Sequence, residues 1–441
     1  MLRSLATLAV SAALLVGGVA HAQGGRAPIV VTPGSAKTYR FALQRFADRS
    51  TPPVPQRISD FRDAVADALE YSGAFTRIDE KAFLGPETTE ALEGGPPVVC
   101  SDWTSISADA LIEGEITRDA RDVSVAVRVW DTVRCKDLLR KRYRQPLSAD
   151  PDVIARRIAD AVVEAFTGTP GVSGTEIAFV SDRTGNKEIF VMNADGSSAR
   201  AATANGSINN FPDWSADGDA IVYTSYRYRN EAHLFLSSRG SLRPGRLVPG
   251  LNRAQYRAVF DPTGDRLAAV VSDGSAPDLY LVDARSRNLK RLTRTRAIEV
   301  SPAWSPDGKR LAFVSDKTGA PQIYVMEVAS GAVRRLTYDG SYNTGPSWSP
   351  DGRWIAYETR VGGQFDIWLI DPEGRVNQPL VSHRRSDEGP TWAPDSRKIA
   401  FSSTRRGRAD LYVIDLDGSN LRRLTSGAGD NTRPAWGPYP R

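Results

Sequence analysis

The chain has 441 residues, of which 41% are hydrophobic and 25% charged, with a formal net charge of +5. This length exceeds that of one ordinary compact domain, and the composition is typical of a globular protein rather than a disordered or membrane-spanning one. The positive charge is scattered over many arginines and accompanies no nucleic-acid-binding motif. We therefore interpret it as a solvated surface and expect no nucleic-acid partner.

The first residues predict export from the cytoplasm. Arg3 precedes the short apolar run Leu5–Val19, and Ala20-His21-Ala22 has the small-x-small pattern of a cleavage site. Residues 1–22 are thus predicted to be a signal peptide, which leaves Gln23 as the first mature residue and the periplasm as the expected compartment. No later run reaches about 18 apolar residues, so no membrane insertion is expected.

Residues 23–167 predict a small α/β domain with a mixed sheet and two helices. Strand patterns occur at Pro28–Thr32, Tyr39–Phe46, Leu111–Ile116, Val123–Trp130 and Leu138–Tyr143. The first helix is predicted to be capped by Ser59 and ended by Gly73, and the second to span Asp150–Phe166. Residues 168–174 are predicted to be a linker, short enough to keep the two domains in contact.

The chain has two cysteines, Cys100 and Cys135, and both lie in this first domain. Export to an oxidising compartment favours a disulfide between them. The alternative is a pair of reduced, buried thiols.

One aromatic motif recurs six times and predicts the architecture of the second domain. Its occurrences begin at Trp214, Phe260, Trp304, Trp348, Trp392 and Trp436, at spacings of 46, 44, 44, 44 and 44 residues. A repeat of about 44 residues with four short strands is one blade of a β-propeller. Residues 175–441 therefore predict a six-bladed propeller.

The phase of the repeat predicts how this propeller closes. The first repeat begins at Thr175 without an aromatic strand before it, and the chain ends on the aromatic strand Arg433–Tyr439 without a blade after it. We expect the last strand to become the inner strand of the first blade, which leaves no open edge.

A column of polar residues stands five positions before each repeat aromatic. We call this set the polar column: Asn209, Gln255, Glu299, Asn343, Asp387 and Asn431. One interpretation is a ring of hydrogen-bonding groups around one mouth of the channel, widened by neighbouring residues and open to a peptide or protein. These neighbours are Tyr256, Tyr342, Thr344, Glu388 and Thr432. The other interpretation is that Asn and Asp favour the loop entering a strand.

No cofactor is expected. A cation such as calcium, bound in the channel, is the alternative.

Motifs of common enzymes are missing from the sequence. It has no Gly-x-Ser-x-Gly elbow, no phosphate-binding loop and no dinucleotide fingerprint. After residue 22 it has two histidines, His233 and His383, which lie in different repeats and are too few for a multi-histidine metal site. We therefore expect a binding protein, with a periplasmic lyase or peptidase-like propeller acting on polysaccharide or peptide as the alternative.

The order of these features resembles the TolB family, the periplasmic propellers of the Tol–Pal system. The resemblance is carried by the export signal, the small α/β domain, the Gly/Pro linker and six repeats that end at Trp436-Gly-Pro-Tyr439. Phe179-Val-Ser-Asp-Arg183 and Ile29-Val-Val-Thr-Pro-Gly34 are also similar to the family.

The resemblance implies two protein partners and a biological role. Pal, an outer-membrane lipoprotein, would bind the residues around the channel mouth and hold the protein at that membrane. TolA would bind the segment 23–34, through Ile29, Val30, Val31, Thr32, Pro33 and Gly34. The protein is expected to be a monomer that maintains outer-membrane integrity during cell division. A periplasmic scaffold for other partners would share the same architecture.

Overall fold

A computed structural model describes residues 37–51, 55–84, 92, 98–239, 246–247, 253–284, 288–427 and 429–440. The described helices are α1 (Pro55–Tyr71), α2 (Cys100–Ser105) and α3 (Asp152–Thr167), with a 3₁₀ turn at Glu80–Ala82. The strands before the propeller are β1 (Tyr39–Leu43), β2 (Ala47–Asp48), β3 (Phe75–Arg77), β4 (Ala110–Arg118), β5 (Asp122–Asp131) and β6 (Lys136–Pro146). The predicted strand Pro28–Thr32 lies outside the described residues.

The first domain is built on a mixed sheet in the order β3-β1-β4-β5-β6, with β2 paired to β4. Strand β1 is parallel to β3 and β4, whereas β4, β5 and β6 are antiparallel. Helices α1 and α3 bury Val65, Leu69, Ile158 and Val162 in one apolar core with the sheet. The prediction of a small α/β domain with a mixed sheet is confirmed.

Helix α1 begins earlier than predicted, at Pro55, so the prediction that Ser59 caps it is wrong. Proline suits the first turn of a helix because its missing N–H would have no partner there. The short helix α2 was not predicted, since six residues are too few to establish a helical period. Cys100 begins this helix, and the structure joins it by a disulfide to Cys135 in the turn between β5 and β6.

The second domain consists of six four-stranded antiparallel sheets. From the inside outwards, blade 1 is β30 (Asn431–Trp436), β7 (Glu176–Ser181), β8 (Glu188–Asn193) and β9 (Arg200–Ala201). Blade 2 is β10 (Asn209–Trp214), β11 (Ala220–Tyr228), β12 (Glu231–Ser238) and β13 (Arg246–Leu247). Blade 3 is β14 (Ala254–Phe260), β15 (Arg266–Ser272), β16 (Asp278–Asp283) and β17 (Leu289–Arg291).

The remaining blades follow the same order. Blade 4 is β18 (Glu299–Trp304), β19 (Arg310–Ser315), β20 (Gln322–Glu327) and β21 (Val333–Arg335). Blade 5 is β22 (Asn343–Trp348), β23 (Ile355–Val361), β24 (Gln364–Ile370) and β25 (Asn377–Val381). Blade 6 is β26 (Asp387–Trp392), β27 (Lys398–Ser403), β28 (Asp410–Asp415) and β29 (Arg422–Arg423). The predicted six-bladed propeller is confirmed.

The last strand closes the propeller, as the phase of the repeat predicts. Strand β30 pairs antiparallel with β7, with Asn431 opposite Ser181 and Trp436 opposite Ile177. The indole N–H of Trp436 donates to Oγ1 of Thr175 at 2.8 Å, so the two ends of the domain are joined through side chains as well. Blade 1 therefore contains both ends of the domain and has a full inner strand.

The repeated Ser-Pro-Asp-Gly phrase is a turn between the first and second strands of a blade. In blade 4, the Ser305 hydroxyl lies 2.5 Å from Oδ1 of Asp307, which accepts the Lys309 N–H, and Gly308 has a φ of 65°. Glycine adopts this left-handed conformation without a steric penalty. The motif is thus explained by turn geometry, without a ligand.

The first domain packs on the face of the propeller that carries these turns, which we call the turn face. The Tyr71 hydroxyl donates to the Ala194 carbonyl at 2.7 Å, and the Ser173 hydroxyl donates to the Ala68 carbonyl at 3.0 Å. The carboxylate of Asp160 accepts the N–H groups of Ser173 and Gly174, both at 2.8 Å, which fixes the end of the linker. The opposite face, which we call the mouth face, carries the loops that enter the inner strands and is not covered by the described part of the first domain.

Candidate partner-binding surface at the channel mouth

The polar column lies at the beginning of the six inner strands, on the mouth face, but it does not form an open ring. Each of its six side chains is at most 2% exposed. The prediction that Asn209, Gln255, Glu299, Asn343, Asp387 and Asn431 present hydrogen-bonding groups to a partner is therefore wrong for the structure described here. A partner could reach these groups only if the surrounding loops moved.

Several members of the polar column instead hydrogen-bond to the neighbouring blade. The Asn343 amide on β22 donates to Oε1 of Gln322 on β20 at 2.8 Å, and the Thr337 hydroxyl donates to the same oxygen at 2.8 Å. In the same way, the Asn209 amide on β10 donates to Oε2 of Glu188 on β8 at 2.7 Å. A buried polar side chain is costly without such partners, so the column is polar because it joins one blade to the next.

Two other members pair with arginines of their own blade. The Arg405 guanidinium donates to Oδ1 of Asp387 at 2.9 Å, and the Arg183 guanidinium donates to Oδ1 of Asn431 at 2.8 Å. The Arg405 guanidinium also lies 4.6 Å from the centroid of the Tyr412 ring, so the ring packs against this side chain. These contacts indicate a structural role for the column.

The neighbours of the column, in contrast, are accessible. Tyr256 and Tyr342 are 36% and 37% exposed, and Thr344, Glu388 and Thr432 are half-buried. The structure thus brings these five predicted residues together on the mouth face with their side chains at least partly available to a partner.

The structure adds apolar residues that the sequence reasoning missed. Ile208 and Ile298 are each 47% exposed, Tyr228 is 44% exposed and Tyr338 is 72% exposed, and all four lie on the mouth face. Ile208, Ile298 and Tyr342 each stand one residue before a member of the polar column, so the position before the column was the missed signal. Exposed apolar and aromatic side chains around a concavity are typical of protein-binding surfaces.

A second layer of side chains lies in the channel two residues after the polar column. We call it the channel layer: Arg433, Phe211, Arg257, Ser301, Gly345 and Gly389, in order of blades 1 to 6. Each inner strand has a register irregularity at this level, and five of the six residues have a φ between 52° and 66°. Such a bulge redirects a side chain out of the regular alternation of a strand.

The large residues of the channel layer meet although they come from three different blades. The Phe211 ring has the Arg257 guanidinium 5.9 Å from its centroid and the Arg433 guanidinium at 5.3 Å. Nη1 of Arg433 also lies 3.8 Å from Oε1 of Glu358, a carboxylate of β23 that accepts the Gly389 N–H at 2.7 Å. The channel therefore contains two cations and an aromatic ring at one level, with a carboxylate beside one cation.

Loss of water inside the channel shifts the ionisation of its charged groups. Desolvation raises the pKa of Asp213 to about 7, against the effects of the Phe260 N–H at 2.8 Å and of Arg257, which lower it. Desolvation, with repulsion from Arg433, lowers the pKa of Arg257 to about 10. Desolvation and repulsion from Glu358 raise the pKa of Glu388. Arg257 and Arg433 thus share a desolvated channel with the carboxyl groups of Asp213, Glu358 and Glu388.

No group of three or more His, Cys, Asp or Glu side chains in the described ranges is arranged to hold a metal ion. None of the described helices combines the length and the apolarity needed to cross a bilayer. The segment 23–34, with the predicted contacts Ile29, Val30, Val31, Thr32, Pro33 and Gly34, lies outside the described residues.

Comparison with known proteins matches both domains to one family. A model described as the TolB beta propeller domain matches residues 163–440, and a model described as the TolB amino-terminal domain matches residues 27–138. The chain belongs to the TolB family. This confirms the resemblance noted from the sequence, and the family is a non-enzymatic component of the Tol–Pal system, so the expectation that the chain is not an enzyme is confirmed as well.

Individual relatives agree with this membership. A Tol-Pal system protein TolB from Anaeromyxobacter sp. (strain K) is 33% identical over 298 residues, which cover 67% of each chain. A protein of the same name from Desulfosudis oleivorans is 37% identical over 251 residues, 56% of this chain and 55% of the relative. The crystal structure of TolB from Acinetobacter baumannii has a TM-score of 0.77 at 24% identity, covers 91% of this chain and shares its fold.

Proposed function

We propose that this protein is a periplasmic binding component of the Tol–Pal system that binds Pal on the mouth face and TolA through the segment 23–34. One observation carries the Pal part: on the described residues, the mouth face is free of the first domain and exposes a group of apolar and aromatic side chains around the channel. We also propose a role in outer-membrane integrity during cell division, which membership of the TolB family supports. We also propose the division into residues 1–22, 23–167, 168–174 and 175–441.

The contact residues proposed for Pal differ from those predicted from the sequence alone. The buried polar column is assigned to the architecture, and contact is assigned to the exposed residues that surround it. These are Ile208, Tyr256, Ile298, Tyr342, Thr344, Glu388 and Thr432.

Replacing Tyr256 and Tyr342 together by alanine is expected to weaken binding of the purified periplasmic domain of Pal about 30-fold or more. Truncating a central interface aromatic costs about 2 kcal/mol or more, and each 1.4 kcal/mol is tenfold in Kd. Both side chains are more than one third exposed, so the fold should tolerate the change. Isothermal titration calorimetry measures the affinity, and thermal unfolding measures the stability of the variant.

The matched control is Val376→Ala, because Val376 is 44% exposed but lies in the β24–β25 turn on the turn face. This variant should bind Pal as tightly as the original protein. Equal Pal affinity for all three proteins would remove the mouth face from the proposal.

Deletion of residues 23–34 is expected to abolish TolA binding and to leave the unfolding temperature unchanged. The partner is the C-terminal domain of TolA, and surface plasmon resonance measures the interaction. A variant in which the order of residues 23–34 is scrambled, at unchanged composition and length, separates a specific contact from a general requirement for a tail. Full TolA affinity after the deletion would contradict the assignment.

A further inference from the structure

We infer that the channel contains a carboxylate-binding subsite, formed by Arg257 and Arg433 on the two sides of Phe211, which receives an acidic side chain of the protein bound at the mouth. The inference rests on the proposed function for the identity of the partner, and it adds the chemical class of the group that enters the channel.

The channel layer is divided into one half with large residues and one half with small residues. Arg433, Phe211 and Arg257 occupy the channel layer in blades 1 to 3, and Ser301, Gly345 and Gly389 occupy it in blades 4 to 6. In a six-bladed ring each large residue therefore faces a small one across the channel axis. Serine and glycine contribute little or no side chain to that half, where the Glu358 carboxylate packs against Gly345.

In the described part of the chain, the guanidinium of Arg257 has no hydrogen-bonding partner. Within the described residues it makes no hydrogen bond or ion pair, and its recorded contact is with the Phe211 ring. Among the described residues, Arg433 has one ion pair, to Glu358 at 3.8 Å, which is longer than a hydrogen bond. Arginine has five N–H donors, so both guanidinium groups can accept a further partner.

Other arginines of the propeller donate a hydrogen bond to an acidic or amide side chain. Arg183 donates to Asn431 at 2.8 Å, Arg405 donates to Asp387 at 2.9 Å, and Arg423 donates to Asp410 at 2.6 Å. Each of these side chains is held by an acceptor within its own blade. Arg257 and Arg433 donate no such hydrogen bond in the described structure, and the symmetry of the propeller does not explain this difference.

The nearest carboxylates do not remove this deficit. Oε1 of Glu358 accepts the Gly389 N–H at 2.7 Å, and Oδ2 of Asp213 accepts the Phe260 N–H at 2.8 Å. Both acids are thus held by the backbone of neighbouring inner strands. Their charges stabilise Arg257 at longer range, but they do not satisfy its donors.

A carboxylate is the group that fits such a site. The planar fork of a guanidinium binds the two oxygens of a carboxylate in parallel, and such charge-assisted hydrogen bonds are about twice as strong as neutral ones. The Phe211 ring between the two cations would contact the methylene groups of an Asp or Glu side chain. Access is from the mouth face, where Arg433 keeps 39% of its side chain exposed.

The test replaces Arg257 by glutamine, which keeps the length and polarity of the side chain and removes the charge. R257Q is expected to bind the Pal domain about 10- to 100-fold more weakly than the original protein, because a hydrogen bond to a charged group contributes about 1.5–3 kcal/mol. Its unfolding temperature is expected to stay close to that of the original protein, because the guanidinium of Arg257 donates no hydrogen bond within the described residues and has only a ring contact and longer-range charge partners. If Arg257 only stabilised the fold, R257Q would unfold at a lower temperature than the original protein.

Arg384→Gln is the matched control, since Arg384 is an exposed arginine of the same mouth face. Single Asp→Asn and Glu→Gln variants of Pal complete a double-mutant cycle. We expect one of them to weaken binding to the original protein but not to R257Q. Equal losses for R257Q and R384Q, or additive effects for every acidic Pal residue, would overturn the subsite and leave Pal binding itself intact.

A second arm tests the subsite without Pal. Peptides are selected from a displayed random library for binding to the original protein, and peptides that also bind R257Q are discarded. The remaining peptides should share an Asp or Glu residue. Replacing that residue by Asn or Gln should abolish binding. Selection of peptides without such a residue would overturn the subsite. Failure of Pal to bind the original protein would count against the proposed function alone, because the peptide arm does not depend on that partner.

Discussion

Removal of residues 431–441 is expected to abolish cooperative folding of the propeller. This deletion removes β30, the inner strand of blade 1, and with it Trp436, which is 8% exposed in an apolar cluster with Phe179 and Val413. Loss of a buried tryptophan side chain alone costs about 3–5 kcal/mol, and a typical domain is stable by only about 5–15 kcal/mol. The deletion also exposes the edge of β7 and removes the Ala435 carbonyl that accepts the Trp214 indole N–H.

Circular dichroism and calorimetry of the truncated protein measure this effect. A synthetic peptide of residues 429–440 should restore the unfolding transition when added in trans, and a scrambled peptide should not. A truncated protein that unfolds cooperatively at the original temperature would show that the closing strand does not hold the propeller together.

Replacing Asp387 by alanine is expected to cost about 3–5 kcal/mol of unfolding free energy. Asp387 is fully buried, and its Oδ1 accepts the Arg405 guanidinium at 2.9 Å. Removing one partner of a buried ion pair leaves the other charge without compensation, which is the costly way to break such a pair. Chemical denaturation monitored by tryptophan fluorescence measures the change.

The double variant Asp387→Ala/Arg405→Met is the control, because it removes the uncompensated cation together with its partner. It should recover a large part of the lost stability. Below its unfolding temperature, Asp387→Ala should bind Pal with nearly the original affinity. Normal stability combined with loss of Pal binding would instead favour Asp387 as a direct contact, as the sequence interpretation proposed.

The Asp387 prediction distinguishes an architectural role of the polar column from a role in partner binding. The residues that stand five positions before each repeat aromatic keep the blades joined, whereas their exposed neighbours are proposed to bind the partner. Substitutions in the polar column therefore test architecture, and substitutions at Tyr256, Tyr342 or Arg257 test binding. A binding screen that used the column alone would confuse unfolding with loss of contact.

The sequence by itself determined the number of blades, the order of their strands and the closure by the last strand. The reason is that strands and tight turns are local: an aromatic strand followed by Ser-Pro-Asp-Gly forms the same hairpin wherever it occurs. The phase between Thr175 and Trp436 then leaves one arrangement without an open edge. The α/β character of the first domain was predictable for the same reason, except where a helix was too short, as α2 is.

Only the tertiary structure decided which polar residues are buried and which charged residues meet. The amide of Asn343 is buried against Gln322 of the preceding blade, whose Oε1 accepts from it, and this neighbour relation is not a property of the strand Asn343–Trp348. Phe211, Arg257 and Arg433 meet because bulges redirect three separate inner strands toward one axis. Burial and pairing are determined by distant parts of the chain, which is why a pattern read along one strand could not distinguish a blade-to-blade hydrogen bond from a binding group.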